Sequence, residues 1–141
     1  MVSGTLLDEQ EDVGSDRVRE ALGPWRVSSW HTTYAERGAA AVDALPGGAD
    51  WRSALENLAP DGERHLLTFE GHVTHLTDRD RPVLNHIDLR TMVGDAASIA
   101  RKLESLAGAG FAEVIYTPSG PDVVRELGAF ADAHAIATRR A

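Results

Sequence analysis

A mixed α/β fold is predicted for this chain on three observations. The C-terminal third alternates strand and helix signals, the first residues form a short apolar run that leads into a helix, and the middle carries helical spacing broken by Gly and Pro. At 141 residues the chain has the size of one ordinary domain, and we expect a single domain over 1–141.

Residues 2–7, VSGTLL, have strand character, and the acidic turn DEQEDVGSD ends at Ser15 or Asp16 as a helix N-cap. From Asp16 the positions Val18, Leu22, Trp25 and Trp30 mark helical turns, with a stop or kink at Gly23-Pro24, and the helical signal continues to Leu45. PGGAD then breaks the chain. Asp50 can cap a helix carrying Trp51, Leu55 and Leu58 before APDGE breaks it again. TMVG reads as a strand that turns into a helix capped by Asp95, with Ile99, Leu103 and Leu106 on one face and Gly108 and Gly110 closing it. AEVIYT is a third strand, and PSGPD places Pro121 just inside a last helix with Val123, Val124, Leu127, Phe130 and Ala131 inward. Such alternation implies parallel strands joined by right-handed crossovers.

Composition narrows the function classes. A net charge of −8 and a pI near 5.1 argue against a phosphate-neutralising surface, so no nucleic acid is expected as partner. The absence of cysteine removes disulfides, thiolate zinc sites and thiol catalysis. No run of about 18 apolar residues and no basic leader occurs, which points to a cytoplasmic protein without a membrane partner. Nucleophile-elbow, Walker, zincin and dinucleotide-fingerprint motifs are absent as well.

The stretch HLLTFEGHVTHLTDRDRPVLNH holds His65, His72, His75 and His86, with Asp78, Asp80 and Asp88 in or beside it. Imidazole and carboxylate suit zinc or iron. Alternation around Val73 and Thr74 predicts an extended EGHVTH, however, in which His72 and His75 point to opposite faces and share no metal. We therefore expect no metal site. Histidine also suits proton transfer near neutral pH, which makes one of these histidines, or Tyr34 after His31, a candidate to act on substrate. In TPSGPD, Thr117, Ser119 and Gly120 precede a helix N-terminus and could meet a phosphate; Asp122 already supplies a negative charge there, which favours a structural cap. Trp25, Trp30, Trp51, Phe111 and Phe130 are read as packing.

The run TMVGDAASIARKLESLAGAGFAEVIYTPSGPDVVRELGAFADAH, together with ERHLLTFEGHVTHLTDRDRP and GTLLDEQEDVGSDRV upstream, resembles the C-terminal end of luciferase-like monooxygenases, the flavin- or deazaflavin-dependent oxidoreductases. That resemblance implies a (β/α)8 barrel, which takes about 250 residues. The chain thus matches a partial TIM-type barrel, its C-terminal strands and helices with a mostly helical insertion, beginning where a full-length relative is already past its middle. Residues 46–90 would be the insertion or lid over the barrel mouth, with His72 and His75 toward substrate. By the same resemblance the cofactor is FMN or deazaflavin, held largely by the other half, and the substrate is a small organic molecule. The alternative is a non-catalytic, self-associating α/β half-barrel module or a subunit of a split enzyme. Its partner would be a second copy or a complementing N-terminal half.

Overall fold

A computed structural model describes residues 1–86, 92–118 and 120–140. The fold is mixed and rich in helix, with a small parallel sheet. In chain order the elements are β1 (Gly4–Leu6), α1 (Asp16–Arg37), α2 (Ala39–Asp43), α3 (Gly48–Leu58), α4 (Arg64–Thr68), β2 (Met92–Gly94), α5 (Ala96–Gly108) and α6 (Val123–Arg140). Short 3-10 turns lie at Asp61–Glu63 and Arg81–His86. Among the described residues no helix is long and apolar enough to cross a membrane. The chain divides into two compact units, Met1–Leu22 with Leu89–Ala141 and Gly23–Asp88.

In the first unit β1 and β2 pair in parallel, Gly4 opposite Met92 and Leu6 opposite Gly94. Leu7 N–H continues this edge by donating to Gly94 O at 3.0 Å. On the other edge Val2 N–H donates to Ile115 O and Thr117 N–H to Val2 O, both at 2.9 Å. Backbone groups of even and odd residues point to opposite sides of a strand, so the β1 strand lies between β2 and the Tyr116 segment. The predicted third strand AEVIYT is reduced to this one parallel bridge, Val2 with Tyr116. Among the described residues no barrel closes.

Helices α5 and α6 cover one face of the sheet, where Leu6, Ile99, Ala100, Leu103, Ala133 and Ala137 form the buried cluster. Ala129, Ala133 and Ala137 recur every four residues along α6, a spacing that puts small side chains on one face and lets the helix approach closely. Burying Ile99 and Leu103 contributes roughly 1.5–3 kcal/mol each. Tyr116 stacks on Phe130 with ring centroids 4.0 Å apart and donates its hydroxyl to Gly4 O at 2.9 Å. Asp95 caps α5 as predicted, accepting Ser98 N–H at 2.7 Å.

Two expectations for α6 are corrected. Asp122 rather than the helix interior takes the cap position, accepting Arg125 N–H at 2.9 Å, so Pro121 lies outside the helix. Val123, Val124 and Leu127 are exposed and Ala131 is too, whereas Glu126 is only 2% exposed. The first turn is rotated because Glu126 Oε1 accepts from both Arg17 Nη1 (3.0 Å) and Arg125 Nη1 (2.9 Å). Those two guanidinium groups also donate to Leu6 O, at 2.9 and 2.8 Å, and so clamp the C-terminal end of β1. Phe111, read as packing, is 61% exposed.

The second unit is helical around Val27, Trp30, Val42, Trp51, Leu55, Leu76 and Val83. Pro24 does not stop α1, which runs through it. The lost backbone bond is outweighed because Gly23 and Pro24 are both buried, Gly23 so close to Leu76 that a Cβ would meet its side chain at 2.7 Å. Gly38, at φ 79°, ends the long helix before the predicted Leu45. The N-cap of α3 is Gly47 in the left-handed region, with Asp50 in the first turn instead of capping it. Next to it Gly48 admits no side chain, since a Cβ would fall 1.7 Å from Val42 O.

Candidate functional site

The second unit buries a chain of polar side chains. His31 lies on α1 one turn beyond Val27, on the same inward stripe, and is fully buried. Trp51 sits on α3 and is 1% exposed. Asp80 follows the turn begun at Thr77 and is likewise fully buried. Its carboxylate is saturated: Oδ1 accepts from Trp51 Nε1 at 2.8 Å and faces His31 Nε2 at 3.1 Å, while Oδ2 accepts from Thr77 N–H at 3.1 Å and the Thr77 hydroxyl at 2.7 Å.

Burial by itself would raise the Asp80 pKa; the bonds from His31, Thr77 and Trp51 outweigh it and hold the group at about 2. Asp80 is an anion at neutral pH. Arg79, also buried, stands 3.9 Å from Asp80 through Nε, lies over the Trp51 ring at 5.7 Å and bonds Glu70 and the Leu67 carbonyl.

The other nitrogen of His31 continues the chain outward. His31 Nδ1 and His72 Nδ1 are 3.1 Å apart, and the His72 ring is half-buried. The segment that delivers His72 is not extended, contrary to the alternation in EGHVTH. It turns tightly, with Gly71 at φ 73° and Val73 at φ 53°, and Thr74 and His75 N–H both return to Gly71 O. A Cβ on Gly71 would stand 2.4 Å from His75 O, so the turn requires glycine here. Partial burial and the neighbouring His31 lower the His72 pKa below 6.5, which keeps that imidazole neutral at pH 7. Phe69 closes the group, edge-on to both His31 and His72.

Of the residues singled out in the sequence, His72 is part of this chain. Tyr34 stands beside it, edge-on to Trp51 at 5.9 Å with its hydroxyl 3.5 Å from Glu56. His75 is exposed and pairs with the Thr74 hydroxyl. His65 is exposed on a cavity of about 380 Å³ also lined by Tyr34, Asp61, Arg64, Thr68 and Phe69. Thr117 uses its backbone N–H in the sheet. Gly120, at φ 88°, packs so closely that a Cβ would be 2.7 Å from Ala21 Cα. Ser119, Asp88 and the His86 side chain lie outside the described residues. Among the described residues no three His, Asp or Glu side chains converge on a metal position.

Sequence reasoning passed over the centre of the site, His31, and read Trp51 as packing alone. Two signals point to them. His31 interrupts an apolar stripe at the helical spacing Val27, His31, Tyr34, and Thr77-Asp-Arg-Asp80 has the spacing by which a hydroxyl and a carboxylate close a turn. No family model, curated protein or solved structure matches the chain.

Proposed function

We propose that the chain is the C-terminal part of a cytoplasmic, luciferase-like flavin- or deazaflavin-dependent oxidoreductase acting on a small organic substrate. Residues 46–90 would be its substrate-side segment. One observation carries the reading: three parallel chain segments, β1, β2 and the Tyr116 strand, are each followed by a helix. That repeat is the unit from which a (β/α)8 barrel is built. FMN or deazaflavin would supply the redox chemistry. In this chain His72, with Tyr34 nearby and His75 on the same segment, would face substrate, and Thr117, Ser119 and Gly120 would be its contribution on the phosphate side.

A second reading is favoured by the strand order. In a barrel, consecutive strands are neighbours, whereas here the β1 strand lies between β2 and the Tyr116 segment. A self-associating α/β module, or the subunit of a split enzyme, accommodates that order, with its outer strand edges covered by a second copy or an N-terminal half.

The test is a fluorescence titration of the purified chain with FMN and with deazaflavin, alone and mixed with a separately expressed N-terminal half of a luciferase-like barrel. Capture of cofactor by the mixture only is the expected result. Tight capture by the chain alone contradicts the division of labour. No capture in either case, with a stable homodimer in light scattering, establishes the second reading.

A further inference from the structure

We propose that Asp80, His31 and His72 form a proton relay whose outer atom, His72 Nε2, takes a proton from the hydroxyl of a small molecule. Asp80 is ionised and can only accept. His31 Nε2, facing Asp80 Oδ1 at 3.1 Å, must therefore carry hydrogen. In the proposed resting state of the relay His31 is the neutral imidazole, with its lone pair at Nδ1. His72 Nδ1, 3.1 Å away, must donate to it. One proton remains in the neutral His72 ring, and it is now placed on Nδ1. Nε2 of His72 is thus an unprotonated base, and among the described residues it has no hydrogen-bond partner.

The transfer balances without a further reactant. The O–H bond of the bound hydroxyl breaks, its electron pair stays on oxygen, and the proton bonds to His72 Nε2. The Nδ1 proton of His72 then moves to His31 Nδ1. The positive charge comes to rest on His31 against Asp80, inside the unit and out of water, where an opposite charge is strongest. Other charged groups facing the chain are Arg79, 3.9 Å from Asp80, and Glu70, which pairs with Arg79. Phe69, 45% exposed and edge-on to His72, offers an apolar wall beside the base, which suits a hydroxyl carried on an aromatic or apolar body.

The inference adds a named proton acceptor to the function proposed above, yet it stands on the geometry of one unit. Its test needs no cofactor, so it can fail while cofactor capture succeeds, and the reverse. In long-range proton–nitrogen spectra of the histidine-labelled chain near pH 7.5, His72 is expected as the Nδ1–H tautomer and His31 as Nε2–H. Adding phenol as the hydroxyl probe is expected to move the His72 Nε2 signal and leave those of exposed His65, His75 and His134 in place. His31→Phe removes the acceptor and is expected to return His72 to the Nε2–H form. Should that variant fail to fold, the wild-type spectrum decides alone. His72 found as Nε2–H in the wild type overturns the relay, and an Nε2 signal indifferent to phenol overturns its role toward hydroxyls.

Discussion

Each unit is organised around polar side chains, but the two do it in opposite ways. In the first unit Arg17 and Arg125 share Thr5, Leu6 O and Glu126, and each has a further carboxylate, Glu11 for Arg17 and Asp8 for Arg125. Several of these groups reach water: the Arg17 side chain is 30% exposed and that of Asp8 65%. In the second unit His31 and Asp80 are fully buried, and Asp80 is bonded to His72 by one route, through His31. The first arrangement is redundant and wet, the second dry and serial. A redundant cluster tolerates loss of one member. A serial chain does not, and it conveys an event at one end to the other.

Substitutions should expose this contrast, most strongly at Asp80. Asp80→Ala strands the Trp51 indole, the Thr77 hydroxyl and His31 in the interior, and should cost about 3–5 kcal/mol in urea unfolding followed by tryptophan fluorescence. By comparison Glu126→Gln keeps an acceptor for two arginines that retain other partners, and should cost about 1 kcal/mol. Equal losses at the two sites would remove the distinction between redundant and serial networks.

Backbone constraints give an intermediate effect. Gly120→Ala in the first unit forces an alanine to φ 88° and into the Ala21 backbone, a loss of about 1–3 kcal/mol in the same measurement.

Salt and pH should produce the smallest differences. Raising salt to about 1 M shortens the screening length to roughly 3 Å and weakens exposed pairs. The Arg17 and Arg125 cluster should therefore lose up to about 1 kcal/mol, while the buried chain changes little. On acidification, Asp80 and Glu11, both held at about 2, contribute stability that is present above their unfolded values near 4 and is lost as pH falls toward 2. His72, lowered from 6.5, stabilises the neutral form, so its contribution is present above pH 6.5 and declines as pH falls below that value. Amide hydrogen exchange across pH 7 to 5 should accordingly show protection falling in the His72 segment before it falls around Glu11. The reverse order would contradict the assignment.

Local signals in the sequence located the elements that have caps and punctuation. Ser15 accepts Val18 N–H at the start of α1, Asp95 caps α5, and Gly110 at φ 90° closes it just past its last turn, because each acts on backbone within a few residues. Features set by distant partners were not legible. Helix α1 passes through Pro24 because of what packs on Gly23, and the inward face of α6 is turned by Glu126 bonding Arg17, 109 residues earlier, as well as its neighbour Arg125. The site divides along the same line. His72 was identifiable as a proton-transfer candidate from its residue type, whereas its partner His31 comes from 41 residues earlier and Asp80 from 49 residues beyond His31. Period-2 alternation misled at EGHVTH because a glycine-dependent turn overrode it.

The central claim is that His72 and Asp80 are coupled through His31, although they are bonded only by way of it. The most direct measurement is the NMR titration of His72 in the wild type and in Asp80→Asn. Removing the carboxylate charge removes the resting place for the proton, so the His72 midpoint should move further down. An unchanged midpoint in a folded Asp80→Asn protein would contradict the coupling.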